Sequence, residues 1–158
     1  MIELAHMLIT WTTYGTWLPG DGRGWRQRRK GNQLPQPLLE QWCREQMQGQ
    51  AVLLRPHDRL TVEEAVGEHC QFRNWELHAV NARTNHVHLV VSANEHPATV
   101  RDQLKANCTR HLRQQADPLQ VARTWARGGD CVLLGGEDDL EVAVQYVTEA
   151  QDRKSLSP

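Results

Sequence analysis

His86 and His88 flank a β-branched residue in the run Asn85-His86-Val87-His88-Leu89-Val90-Val91. In an extended segment alternate side chains share a face, so the two imidazoles point one way while Val87 and Leu89 point the other. Two imidazoles on one side of a strand can hold one divalent metal ion. The same pattern also suits two polar residues on the wet face of a sheet, and the surroundings have to decide between these readings.

The chain has two tyrosines, Tyr14 and Tyr146. Tyr146 flanks the Leu140, Val144 and Val147 stripe of a C-terminal helix, which puts its ring at the core's edge with its hydroxyl outward. One further step along that stripe reaches Gln151. Its carbonyl oxygen is a hard neutral ligand, suited with two imidazoles to Mg²⁺ or Mn²⁺ and leaving positions open for a phosphate. Fraying of the helix end is the other reading of Gln151. Elsewhere, Arg23, Arg26, Arg28, Arg29 and Lys30 interleave with Trp17 and Trp25, combining phosphate-seeking charge with rings on which an unpaired base can stack. A solvated flexible loop accounts for that stretch equally well. A second basic row, Arg101, Lys105 and Arg113, runs beside the apolar stripe Val100, Leu104, Cys108 and Leu112. It reads either as a solvated helix face or as a phosphate contact.

The elements that must position these groups follow from periodicity and punctuation. Residues 7–14 are rich in β-branched and aromatic types and are closed by Gly15, which predicts a first strand. Residues 16–30 form a glycine-punctuated loop with no helical or strand period. Residues 37–48 predict a short helix lying on the body. Thr61 reads as an N-cap, with a helix over about 62–74. Residues 75–82 and 86–92 alternate around the turn 83–85, an antiparallel hairpin. A helix follows Pro97. Residues 130–134 form a short strand between Gly128-Gly129 and Gly135-Gly136, which serve as turns or hinges. A last helix runs from 137 to about 151, with acids in its first turn. Without an insertion at about 16–60 the order is β-α-β-β-α-β plus one terminal helix. That predicts an α+β fold, a ferredoxin-like split βαβ sandwich with an antiparallel sheet and helices on one face. Its central strands are the first and third, so the His-x-His strand lies mid-sheet.

At 158 residues and 39% hydrophobic content the chain suits a single domain over 1–158. The net charge of -1 gives no global basic signal, so any nucleic-acid surface must be a local concentration of cations. Cys43, Cys70, Cys108 and Cys131 are scattered, which points to reduced thiols rather than a zinc knuckle or disulfide framework. No leader pattern and no membrane-spanning run stand out, and the expectation is a soluble cytoplasmic protein without a membrane partner.

Three ordered blocks carry a resemblance. Thr10-Trp11-Thr12-Thr13-Tyr14-Gly15-Thr16-Trp17-Leu18-Pro19-Gly20-Asp21, then the His-x-His strand, then Tyr146-Val147 with Gln151, resemble the single-tyrosine HUH transposases. The chain is most similar to the branch associated with repetitive extragenic palindromes. The resemblance implies a ferredoxin-like homodimer that binds single-stranded DNA, often folded as a hairpin, and cuts and rejoins it. Carried over, His86 and His88 ligate the metal and Tyr146 is the nucleophile, giving a 5′-phosphotyrosine link and a free 3′-hydroxyl. The wider group commonly carries its third ligand four residues after the tyrosine. That position is Ala150 here, with Gln151 one residue beyond and Glu149 one before, and the choice between these two stays open. The resemblance also turns both basic rows toward the DNA backbone. The alternative from a different class is a non-catalytic or domesticated hairpin-DNA-binding regulatory protein.

Overall fold

The computed structural model describes residues 4–27, 29–47 and 49–149. Arg28 and Gln151, both singled out above, lie outside the described residues. Four strands build one antiparallel sheet: β1 (Ala5–Thr12), β4 (Glu76–Ala82), β5 (His86–Ala93) and β6 (Asp130–Leu133), in the order β4-β5-β1-β6. The first and third strands of the split βαβ order are central, as the element order predicts. Helices α2 (Pro56–Arg73) and α3 (Pro97–Arg113) cover one face, and α4 (Glu137–Glu149) lies on the other.

Strand alternation divides the side chains between these faces. Met7, Ile9 and Trp11 of β1 join Val87, Leu89 and Val91 of β5 against Val62, Val66, Val100 and Leu104 of the two helices, forming the main core. The other face receives Leu8, Ala79 and Val90 beneath Leu140, Ala143 and Val147 of α4, a much smaller apolar cluster. Burial at roughly 25 cal/mol per Å² of apolar surface makes the first face the main source of stability. Among the described residues no helix is long and apolar enough to cross a membrane.

The helix starts and the insertion differ from expectation. α2 begins at Pro56, not near Val62, because proline suits a first helical turn and the Asp58 carboxylate reaches back to accept from the Arg55 N–H at 2.9 Å. Thr61 is therefore inside the helix, where its hydroxyl bonds Gln115 Oε1 at 2.6 Å. The apolar spacing marks which face of α2 is buried but not where the helix starts. The stretch expected to lack strand structure carries a small hairpin, β2 (Trp25–Gln27) with β3 (Gly31–Gln33). Strands of three residues are too short to show a period. Helix α1 (Pro37–Glu45) forms, but it buries none of its residues, and Leu38 is 83% exposed. It is held instead at its first turn, where Gly20, at φ 86°, packs so closely that a Cβ would strike Gln36 O and the Glu40 N–H.

Candidate active site

The row that crosses the middle of the sheet on the α4 side is polar. Register pairs His88 of β5 with Thr10 of β1 and with Asn81 of β4, and pairs His86 with Thr12. Both histidines are buried, at 3% and 1% exposure, and their ring centroids are 4.9 Å apart. His86 Nδ1 donates to the Asn85 side-chain oxygen at 2.7 Å. That bond fixes the tautomer and leaves Nε2 as the lone-pair nitrogen, the arrangement that a metal-ligating histidine uses. Asn85 is fully buried, and its own Nδ2 has no hydrogen-bond partner among the described residues. An amide donor of this kind suits an oxygen of a phosphate or of a metal-bound water, not the ion itself. Two adjacent buried imidazoles on one face fit a divalent cation as two of its ligands.

Tyr146 completes the cluster. Its ring packs edge-on against His88 with centroids 5.6 Å apart, while 57% of the residue remains exposed. Two contacts set that position. Val147, the next residue, is fully buried against Val90, and Asn81 Nδ2 donates to the Val147 carbonyl at 2.9 Å. Asn81 thus ties the last turn of α4 to the strand residue beside His88. Sequence reasoning passed over it, although an asparagine within a strand, a poor β-former, was the available signal. The tyrosine lies over the histidines of its own chain.

Among the described residues no third His, Cys, Asp or Glu joins the histidine pair. Glu149 does not join the histidine pair. It accepts from Gln145 at 3.4 Å and lines an open groove of about 340 Å³ with His78, Leu140 and Val144. Gln151 lies outside the described residues.

The cations sort into two groups that their spacing did not reveal. Arg23 is folded inward: its guanidinium ion-pairs with Asp21, donates to Thr16 O at 2.7 Å and stacks over the Trp17 ring at 4.0 Å. Lys105 is half-buried and donates to the carbonyls of Ala126 and Gly128, both at 2.8 Å. Burial, reinforced by the neighbouring Arg101 charge, lowers its pKa to about 8. Arg101 pairs with Asp102 and reaches Gly129 O at 3.2 Å. These three brace the protein's own loops. Gly129, at φ 144°, lies so close to Thr10 O and the Arg101 side chain that a Cβ would strike them, which requires glycine there. Trp25 bonds Leu34 O through its indole N–H at 2.9 Å, and Arg26 pairs with Asp130 at 2.8 Å, docking the β2–β3 hairpin beside β6. Arg29, Lys30 and Arg113 are exposed, with no carboxylate partner among the described residues. So are Arg123 and Arg127, which sequence reasoning did not select because they belong to no helical or strand pattern.

Residues 47–150, about two thirds of the chain, match the model of a family described as "Transposase IS200 like". None of the curated proteins matches. A solved structure of the REP-associated tyrosine transposase bound to a REP hairpin is similar at a TM-score of 0.50 and 14% identity, over 92% of this chain and 66% of that one. The chain thus spans about two thirds of the length of that protein, and at this identity the likeness is one of fold.

Proposed function

The chain belongs to the IS200-like transposase family, and from that premise we propose that it is a metal-dependent single-stranded DNA endonuclease and strand transferase acting through Tyr146. The observation that carries the reading is the packing of an exposed tyrosine ring on His88, one of two adjacent buried histidines of which His86 is oriented by Asn85. His86 and His88 would hold Mg²⁺ or Mn²⁺, with Gln151 as the proposed third ligand. When bound, the ion would polarise the scissile phosphate and offset charge developing on it.

The chain's own residues do the rest. Tyr146 stands on α4 with its ring against His88. A phenol attacks as its phenolate, so neighbouring positive charge, which the ion would supply when bound, is a requirement of this chemistry. Its Oη attacks phosphorus; an O–P bond to the tyrosine forms as the bond from phosphorus to the 3′-oxygen breaks. The phenolic proton passes to solvent and the leaving 3′-oxygen takes one up. Attack by a hydroxyl on the 5′-phosphotyrosine reverses these changes and reseals a strand. Asn81 holds the helix so that Tyr146 and His88 stay in register. Arg29, Lys30 and Arg113 are the proposed backbone contacts, with the docked Arg26 and Trp25 beside them.

The proposed partner is hairpin-containing DNA, the ligand of the structurally similar transposase, and the proposed assembly is a homodimer in the cytoplasm. Sedimentation tests the assembly. The test of the chemistry is a denaturing gel of the protein with end-labelled single-stranded DNA from the flanks of its own gene, with Mg²⁺ or Mn²⁺, beside Tyr146→Phe. A slow-migrating adduct that needs metal and is lost in the variant is expected. DNA binding without an adduct under any metal would overturn the reading in favour of a non-catalytic hairpin-binding protein. The lack of a third His, Cys, Asp or Glu beside the pair, among the described residues, is the observation that favours this second reading.

A further inference from the structure

β1 ends at Thr12, but its pairing continues. Thr13 bridges Trp125, the Tyr14 N–H donates to Thr124 O at 2.9 Å, and the Ala126 N–H donates to Thr12 O at 3.0 Å. Residues 123–126 thus lie as a shelf along the end of the central strand, where no regular strand was expected. The shelf is rigid for physical reasons. Trp125 is buried edge-to-face against Trp11 at 5.8 Å and bonds Lys105 O through its indole at 3.2 Å, and the Lys105 ammonium grips the carbonyls of Ala126 and Gly128.

Two side chains meet on this shelf. The guanidinium of exposed Arg123 lies 5.4 Å over the Tyr14 ring, with its Nε donating to Trp125 O at 3.3 Å. In β1 the even-numbered residues Thr10 and Thr12 share the face of His88 and His86, their register partners. Thr13 still pairs as a strand residue, and Tyr14 follows it at the start of the turn that closes β1, two residues beyond Thr12, the register partner of His86. The link to the site is direct: Thr13 donates to Asn85 O through its N–H at 2.9 Å and its hydroxyl at 3.2 Å, and the Asn85 side chain holds His86. Arg127 adds a second exposed cation on the same loop.

We propose that Tyr14 and Arg123 form a nucleobase-stacking site that seats one unpaired base of the single-stranded flank next to the phosphate at His86 and His88. Aromatic rings and guanidinium groups are both platforms for any base, and here the backbone that carries the two is fixed by pairing at the end of the strand that abuts the histidines. The site is assigned to a base and not merely to a phosphate because a phosphate contact needs charge alone, whereas here an aromatic ring lies beside the guanidinium. This deepens the transposase reading and rests on it.

The test uses the full chain and a hairpin oligonucleotide with the single-stranded flanks of its own gene, the cut site having been mapped from the Tyr146 adduct. Single abasic sites are stepped through the flank. In the wild type one position beside the cut is expected to lower adduct yield at limiting protein about 5- to 150-fold, the range that corresponds to ~1–3 kcal/mol for a stacked base. Arg123→Ala and Tyr14→Ala are expected to lose a similar factor on intact DNA and to show no further loss with that abasic substrate. Arg123→Lys, which keeps the charge but not the plane, is expected not to restore it. Losses that add to the abasic loss at every position, full rescue by lysine, or wild-type behaviour of both alanine variants would each overturn the site. Should Tyr14→Ala fail to fold, the exposed Arg123 series decides alone. A wild type that forms no adduct would sink the parent reading instead, and the same scan read by fluorescence anisotropy of DNA binding then decides the stacking site separately.

Discussion

The two faces of the sheet share one backbone and differ in almost everything else. Against α2 and α3 the residues are Met7, Ile9, Trp11, Val87, Leu89 and Val91, all at 0% or 1% exposure. Against α4 the same strands present His6, Thr10, Thr12, His86, His88 and Ser92, with Leu8 and Val90 as the apolar exceptions on β1 and β5. A buried polar group costs free energy unless bonded, so the second face is carried by the first. The consequence for α4 is a light attachment: a short apolar stripe and the Asn81 bond hold the helix that presents Tyr146. One face supplies stability and the other supplies chemistry.

That division is open to direct attack. His88→Ala is expected to reduce adduct formation by on the order of 10²–10³-fold, as loss of one group that stabilises developing charge does, and to do so in protein that still melts cooperatively. Leu104→Ala is expected to behave in the opposite way. It should cost about 2–5 kcal/mol of stability by urea titration, through lost burial and the cavity left, while adduct formation per folded molecule stays near the wild-type rate. If His88→Ala unfolded the protein, or if Leu104→Ala abolished the reaction in folded molecules, the faces would not be separable.

The division itself was legible from alternation around His86 and His88, and the element order alone places that strand mid-sheet. Tyr146 was legible because its offset from the Leu140–Val147 stripe is a helical-wheel fact. What the chain did not disclose depends on contacts between segments far apart. Lys105 and Arg101 stand in a row with Arg113 on the helical wheel, yet two of the three are taken up by carbonyls of residues 126–129, more than twenty positions away. The 123–126 shelf has no period because it follows β1 only through tertiary pairing. Asn81 was missed because its partner is a backbone carbonyl of α4, which no local pattern reveals.

The stable face contains one buried charge, and it sharpens the comparison. Asp58, fully buried at the start of α2, has its carboxyl held below the usual carboxylate range. Burial pushes it up, but hydrogen bonds from the Arg55 guanidinium, Gln115 and the Arg55 N–H more than offset this. Since the folded value lies below the unfolded one near 4, the contribution is fully present above about pH 4 and is lost as pH falls through the folded value. Asp58→Asn is expected to lower stability at pH 7 by about 1.5–3 kcal/mol, the worth of hydrogen bonds to a charged group. It should also flatten the acid limb of stability against pH. An acid limb as steep as the wild type's would assign that limb to other carboxylates.

The smallest effects concern the cations, where the contrast is between charges the protein uses and charges it offers. Arg29 and Lys30 stand exposed on the β2–β3 hairpin, while Arg23 is bound to Asp21, Thr16 and Trp17. A cation that displaces counterions from single-stranded DNA contributes about 0.7 to the slope of log K against log salt. Arg29→Ala and Lys30→Ala are therefore each expected to shallow that slope by about 0.7 without moving the melting temperature. Arg23→Ala is expected to leave the slope near its wild-type value and to lower the melting temperature, because it strips the partner from Asp21 and uncovers Trp17. Anisotropy titrations of a hairpin oligonucleotide at several salt concentrations, beside thermal melts, separate the two. A shallower slope for Arg23→Ala at an unchanged melting temperature would move it from the scaffold to the DNA surface, and would mean that its pairing with Asp21 opens on binding.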